Sequence, residues 1–484
     1  MSNAIPIPGA DIPLQTREIE AIFHRQQAHQ YAVAQTTARE RIAKLRRLHQ
    51  AVLDHRAAIQ EALWADFRKG PAEVDISETI CVNSEIRYAV RNLSRWMRRR
   101  RMPVRLPLLT SSAEIRYEPK GVCLILGTWN FPFNITLIPL IGAVAAGNCA
   151  IIKPSEHAPH SSALIKKIVE SCFPPEEVAV VEGEVGTATH LLSLPFNHIF
   201  YTGSTAVGKV VMAAAAQHLT SVTLELGGKS PVVIDETADL DRAASRVAWM
   251  KCLNAGQTCI APEYILLQEG VHDAYLEKMR HYLTKFYGEN PETRAQNPDL
   301  AHAVHARRFT QAKSLLDDAV ERGARIAFGG YTDAATNYID PTVLADVPPG
   351  AAIWEEEIFA TLLPVQRYST LEQAIQLVQA RNKPLALYIF SNRETNIRQL
   401  IEESRGGGVC INECGLQFFN PNLPFGGHNH SGIGHYHGEY SFREFSNPRS
   451  IARQNRFFAT TDFFLPPYKG WVLRFFINQL AKWL

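Results

Sequence analysis

The chain is expected to fold as two α/β units, each a parallel β-sheet covered by helices on both faces. Between Val122 and Ile234 short apolar β-rich runs alternate with helical stretches, and a second alternation continues to Phe390. Alternation at such spacing makes βαβ units. The length of 484 residues is about three typical domains, too much for one compact core.

From Ile19 to Arg101 apolar residues recur three and four apart between charges, as at Ile42, Leu45, Leu48 and Leu53, so this section is expected to be helical. The run Arg98–Arg101 closes it and is expected in a last helical turn, where cations meet the negative end. After Pro107, strands are expected at Val122–Leu126, Ala150–Ile152, Val178–Val181, His198–Tyr201 and Val222–Leu224. Helices Phe133–Ala146, Ser161–Ser171 and Thr205–His218 lie between them. The stretch Val122–Ile152 is apolar enough to suggest a membrane span. Asn130, Pro132, Asn134 and Pro139 interrupt it, leaving no clean run of about 18 residues.

The second alternation runs Val232–Ile234, helix Leu240–Cys252, Tyr264–Leu267 and helix Val271–Tyr287. Past the turn at Gly329-Gly330 come Val343–Ala345, Leu363–Tyr368, helix Leu371–Ala380 and strand Ala386–Phe390. This unit is expected to have its own core. Gly406–Gly438, rich in Gly and His, is expected to be irregular, and loops of that length are usually functional. From Gly470 on, Arg474, Asn478 and Lys482 stand four apart among Trp, Leu and Phe, an amphipathic helix with a narrow polar stripe.

Composition narrows the function classes. Apolar residues make up 46% and charged residues 20%, which excludes disorder, collagen and coiled coil for the whole chain. Fifty Lys and Arg against 48 Asp and Glu leave +2, no field to recruit nucleic acid or an anionic membrane. Eight cysteines are too sparse for a disulfide scaffold, and the start MSNAIPIPGADIPLQ has neither basic n-region nor apolar run. A cytoplasmic enzyme is the expectation.

Three segments hold candidate chemistry. Cys259 follows the small, flexible Asn254-Ala255-Gly256-Gln257-Thr258, although a single Cys is more often a small buried hydrophobe. Glu225 ends an apolar strand before Gly227-Gly228, where an acid is more often a solvated turn residue. In Gly127-Thr128-Trp129-Asn130-Phe131-Pro132 an Asn amide could donate to developing negative charge. A second set suits a nucleotide. Gly203-Ser204-Thr205-Ala206-Val207-Gly208 opens a helix whose N-terminus favours a pyrophosphate, with spacing that is close to, but is not, G-x-G-x-x-G. Lys153 and Glu156, in Lys153-Pro154-Ser155-Glu156 after a strand, offer donors and an acceptor to ribose hydroxyls.

Taken together, these segments resemble the aldehyde dehydrogenase superfamily. Glu225-Leu226-Gly227-Gly228-Lys229, Gly256-Gln257-Thr258-Cys259, Glu357-Ile358-Phe359 and Pro424-Phe425-Gly426-Gly427 match its series in order, with 259 − 225 = 34 positions between acid and thiol. The match runs from about residue 20 to about 455. Ile260-Ala261-Pro262, Tyr436-His437-Gly438 and Ser441-Phe442 are similar to the class 3 branch of fatty and aromatic aldehyde dehydrogenases.

The resemblance implies a doubly wound parallel-sheet cofactor domain from 1–100 and 120–227 and a second α/β catalytic domain from 228–434. It also implies a small β bridging element from 101–119 and 435–455 that pairs subunits into a homodimer, leaving 456–484 as a tail. It implies that Cys259 attacks the aldehyde, that the Asn130 amide and the Cys259 N–H hold the oxyanion, and that hydride loss leaves a thioester. Glu225 then activates the hydrolytic water, with Glu357 a second candidate base. Trp129, Lys153, Glu156, Gly203, Ser204, Gly208, Glu357 and Phe359 are the implied cofactor residues, for NAD or alternatively NADP. A cysteine hydrolase and a non-catalytic binding protein on the same scaffold are the rival readings.

Some features depart from the pattern. Ala360-Thr361 replaces the Gly-Pro that many relatives carry after Glu-Ile-Phe, which bears on the placement of Glu357. His428, His430, His435 and His437 form two H-x-H pairs without companion ligands at metal spacing, so local hydrogen bonding rather than a metal is expected. Cys410 and Cys414 lack the second pair that zinc requires. The tail helix 470–484 is expected to pack on the protein, with peripheral membrane contact the alternative.

Overall fold

The computed structural model describes residues 14–105, 108–467 and 470–483. The strand–helix alternation sorts into two large sheets. In the first, five strands lie parallel in the order Ser221–Leu226, His198–Gly203, Val122–Leu126, Cys149–Lys153, Val178–Val180. From Val122–Leu126 the chain adds two strands on one side, then crosses to the other for His198–Gly203, which places the switch point between those two strands. Loops there diverge to opposite faces and open a crevice at the carboxyl ends, where ligands of such sheets bind. Every residue of Val122–Leu126 and of Cys149–Lys153 is buried, because helices cover both faces. Helix Asn134–Ala146 is buried along its whole length, and so shows no polar stripe.

The second sheet has seven strands, ordered Arg325–Phe328, Thr342–Ala345, Leu362–Tyr368, Tyr264–Gln268, Pro231–Ile234, Ala386–Phe390, Gly408–Ile411. All run parallel except the Arg325–Phe328 edge. The period of two along its strands divides the core. Val233 and Leu266 join Phe309, Leu316 and Ile375 in a cluster of this unit alone. Val232, Ile234 and Ile265 face the other way and join Ile125, Ile152 and Phe200 of the first sheet in one continuous core. The second unit therefore shares one of its two cores with the first instead of owning both.

Gly406–Gly438 is less irregular than its composition predicts. Gly408–Ile411 closes the second sheet as an edge strand, and Gly432–Ile433 pairs antiparallel with Ser221–Leu226 in the first. The arginine run is not a helix end either. Helix Ile80–Trp96 stops short of it, and Arg100–Met102 is a strand against Ser111–Pro119. Extended backbone spreads the guanidinium groups and brings Arg99 to 3.6 Å from Glu114, where one helical turn would crowd like charges. Ser111–Pro119 pairs on its other side with Ser446–Gln454 along nine residue pairs, completing a three-stranded antiparallel sheet.

The tail forms helix Trp471–Trp483, about 20 Å long at 1.5 Å per residue. Trp471 and Phe475 stand 81% and 55% exposed, so the protomer does not cover this part of the stripe as expected. The side chains of Phe476 and Trp483, counted in the same stripe, lie outside the described residues. Among the described residues no helix is long and apolar enough to cross a membrane.

Candidate active site

The crevice at the carboxyl ends of the first sheet meets the turn that carries Cys259. Helix Leu240–Cys252 runs into a tight turn, Leu253–Gly256, in which Asn254 and Ala255 adopt left-handed backbone at φ 54° and 55°. Gly256, at φ 73°, lies so close to the Ala360 carbonyl that any Cβ would collide with it. Gln257 locks the turn: its Nε2 donates to the carbonyls of Asn254 and His302, both at 3.0 Å, and its Oε1 accepts from the Val304 N–H at 3.0 Å. The thiol is thus presented by a rigid loop, not the flexible approach its small residues suggest.

Asn130 is cross-linked to that turn. Its Nδ2 donates to the Gln257 carbonyl at 3.0 Å, and its own carbonyl accepts from Asn254 Nδ2 at 2.7 Å. An amide nitrogen carries two hydrogens, so Asn130 can keep this contact and donate once more.

Glu225 sits one residue before the end of its strand. Leu224 and Leu226 point into an apolar cluster on one face, so the alternation sends the Glu225 carboxyl to the other, toward Cys259. Both of its oxygens are buried with no hydrogen-bond partner among the described residues. Burial first, and then the charge of Glu444, raise its pKa well above the ordinary carboxylate range. Burial, then Glu225 and Glu357, push the Cys259 thiol up to about 12, with the backbone N–H groups of Cys259 and Ile260 pulling the other way.

Glu357 is placed differently. Its Oε1 accepts from the Gly228 N–H at 3.2 Å, and its carboxylate lies over Gly227, where a side chain would force it to move. Burial and then Glu263 push it up to about 7. The turn that holds it survives the loss of Gly-Pro. Phe359 takes φ 49°, and the N–H groups of Ile358 and Phe359 donate to Glu263 at 2.7 and 3.2 Å. Lys229 Nζ and Lys251 Nζ stand 3.3 and 3.6 Å from the same carboxylate. Glu263 is therefore a hub of the site. Its only trace in the sequence is an acid four residues after the thiol.

Cys259 and Glu225 line two adjoining cavities. One is narrow and apolar, walled by Phe131, Ile135, Met250, Phe418, Phe425 and Tyr436. The other is more polar, and brings together Trp129, Asn130, Gly203, Ser204, Glu357 and Phe359. Arg308 completes this second cavity, its guanidinium 5.1 Å from the Phe359 ring centroid. Nothing in the sequence marks Arg308, one of several cations on an amphipathic helix. Trp129 packs edge-on against Phe359 at 5.6 Å.

The remaining candidates lie at the rim or outside it. Lys153 Nζ reaches Glu156 at 2.7 Å; burial opposes ionisation of Glu156, yet this contact holds its carboxyl below the ordinary range. The Lys153 carbonyl accepts from the Gly127 N–H at 3.0 Å, which ties this rim to the Trp129-Asn130 loop. Ser204 caps helix Thr205–Ala216 by accepting from the Val207 N–H at 3.4 Å. Gly208 is not on the crevice: it is buried on the inner face of that helix against Leu226, a packing position. A helix N-terminus, a Lys–Glu rim and a polar cavity at the switch point fit a dinucleotide. The histidines fall apart: His437 is buried beside Tyr436, His428 faces Lys383 at 3.3 Å, and the His430 carbonyl accepts from Thr205.

Comparison with known proteins agrees with this geometry. The signature of the aldehyde dehydrogenase family matches residues 10–451. The chain belongs to the aldehyde dehydrogenase family. It is an NAD(P)-dependent oxidoreductase that converts aldehydes to carboxylic acids. Aldehyde dehydrogenase family 3 member B1 of Rattus norvegicus is 39% identical over 452 residues, 92% of this chain and 94% of that protein. The 4,4'-diaponeurosporen-aldehyde dehydrogenase of Staphylococcus aureus is 40% identical over 439 residues, 90% of this chain and 94% of that one. A substrate-bound structure of Staphylococcus aureus AldH superposes with a TM-score of 0.91 at 38% identity, covering 96% of this chain and 99% of that chain.

Proposed function

We propose that this dehydrogenase oxidises apolar aldehydes, medium- or long-chain aliphatic or aromatic, with Cys259 as nucleophile and Glu225 as general base. The observation that carries the reading is the position of these two side chains on the wall shared by an apolar and a polar cavity. An aldehyde entering from the apolar side meets the thiol first. The Cys259 proton passes to solvent as sulfur bonds to the carbonyl carbon, and the oxyanion takes donors from the Asn130 amide and the Cys259 N–H. NAD(P), bound on the polar side by the Lys153–Glu156 rim, the Gly203-Ser204 helix start and Glu357, supplies the hydride acceptor. Glu225 then takes a proton from the water that hydrolyses the thioester. Its unpartnered, raised carboxyl suits that task, whereas one Glu357 oxygen is already engaged by Gly228.

NAD is the preferred cofactor in this reading, because Glu156 accepts from a ribose 2′-OH and repels a 2′-phosphate. The free cysteines, most of them buried, accord with a cytoplasmic location. Two sheet edges suit a homodimer. Ser446–Gln454 ends the three-stranded sheet, and Gly408–Ile411 ends the second sheet with Val409 and Ile411 exposed. The exposed Trp471 and Phe475 suit cover by a partner subunit or a peripheral membrane contact. A panel of aldehydes graded by chain length and aromaticity, scored by kcat/KM with NAD and NADP, tests the substrate class. Higher kcat/KM for small polar aldehydes would refute it.

A further inference from the structure

Beneath the two loops that carry Asn130 and Cys259 lies a group of ionisable side chains, fully buried at Lys69 and Glu78 and half-buried at Glu73, that the reaction itself does not use. It belongs to a stretch where helix Pro71–Val74 passes through a π-turn, Asp75–Thr79, into helix Ile80–Trp96. Such wide turns shift the backbone register and often mark functional sites. Here the shift buries Ser77, Glu78 and Thr79 together. Lys69 and Glu78 are fully buried, 3.4 Å apart.

Each member of the group grips one active-site loop. Glu78 Oε2 accepts from the Asn134 N–H at 2.7 Å, a carboxylate at the start of helix Asn134–Ala146, and Asn134 Nδ2 donates back to the Ser77 carbonyl at 2.8 Å. Lys69 Nζ sits 4.1 Å from the centroid of the Phe131 ring, in the residue after Asn130. Glu73 Oε1 accepts from the Asn254 N–H at 2.7 Å, and Asn254 Nδ2 in turn donates to the Asn130 and Gln257 carbonyls at 2.7 and 3.2 Å. Lys69 thus pairs with Glu78, and its charge also acts on Glu73 from farther off. Burial pushes both Glu73 and Glu78 up to about 7, with Lys69 opposing. Burying such a group is costly unless every member is held, so its presence under the site needs a reason.

We propose that Lys69, Glu73 and Glu78 are positioning residues that fix the spacing between the Asn130 amide and the Cys259 N–H, so that both donors meet one oxyanion. This rests on the oxyanion role given above to Asn130 and Cys259. A carboxylate that accepts from Asn254 holds a left-handed residue in place, and that residue cross-links the two donor loops. Loosening it displaces both donors relative to each other, while the Lys153–Glu156 contact itself involves no member of the group.

The test is a cycle of Glu73→Ala, Asn130→Ala and the double variant in the full-length enzyme, with Glu73→Gln as the rescue. Glu73→Ala is expected to lower kcat about 10- to 100-fold, the cost of a small misplacement, with KM for NAD within about twofold. Glu73→Gln keeps an acceptor for the Asn254 N–H and is expected to recover most of that loss. In the Asn130→Ala background, Glu73→Ala is expected to cost less than about threefold more, because the donor it positions is gone. Should Glu73→Ala fail to fold, Glu73→Met, similar in volume but with no acceptor, takes its place. Full multiplicative losses in the double variant, unchanged kcat in the Glu73 variant, or no rescue by Gln would overturn the proposal. Wild-type kcat in Asn130→Ala alone would overturn the oxyanion assignment itself, a failure visible in that single variant.

Discussion

Two glutamates flank the Cys259 thiol, and their surroundings assign them different work. Glu225 lies one residue before the end of a strand, touches both cavities and has no partner for either oxygen among the described residues. Glu357 lies on a turn, lines the polar cavity, and gives one oxygen to Gly228 and its flank to Gly227. Burial raises both, yet only one carboxyl is left to move a proton without first breaking a contact. The lesson is that an acid's role follows from what already occupies its lone pairs, not from its shifted pKa.

The largest effect tests the thiol between them. Cys259→Ala is expected to abolish oxidation while leaving NAD affinity within a few-fold, since sulfur forms the covalent bond but contributes little to cofactor binding. Appreciable turnover in that variant would sink the assignment. Next comes Glu225→Gln, in which the NADH burst survives and the steady state slows by about 100-fold or more, as for a lost general base. Loss of the burst would move Glu225 to an earlier step, on the thiol. An untouched steady state would hand the base to Glu357.

Glu357→Gln is expected to raise KM for NAD by about tenfold while leaving the deacylation rate near wild type, the worth of one charged hydrogen bond. A fall in deacylation matching that of Glu225→Gln would erase the contrast between the two acids. A smaller effect reads the same carboxyl through stability. In the fold Glu357 holds its proton up to about pH 7, against 4.5 for the ordinary group, so the folded state binds more protons between those values. Stability from this group is full below 4.5 and is lost as pH rises through 7. Glu357→Gln should therefore raise Tm relative to wild type at pH 8 and not at pH 5, and equal Tm differences at both would contradict the burial argument.

Much of the fold was legible because the strands at its centre are buried on both faces. Val122–Leu126 and Ala150–Ile152 read as unbroken apolar runs, and the acid lies near the end of such a strand, with the amide and thiol on loops, where residue type carries chemistry. Gly408–Ile411 was hidden because its short apolar run Val409-Cys410-Ile411 follows three glycines in a segment whose composition reads as a loop. Arg100–Met102 was hidden because it is only three residues long and its charges resemble a helix end. Glu263, Arg308 and the Lys69–Glu73–Glu78 group were invisible for a further reason. They act through backbone N–H groups and ring faces that only the folded chain brings within reach.

The central claim is that Cys259 carries the acyl group that Glu225 later releases. Glu225→Gln mixed with NAD and aldehyde, quenched within the burst and analysed by intact-mass and peptide mass spectrometry, tests it most directly. An adduct of acyl mass, near one per subunit, on the peptide containing Cys259 is the expected result. No adduct, or an adduct on any other residue while NADH is formed, would contradict it.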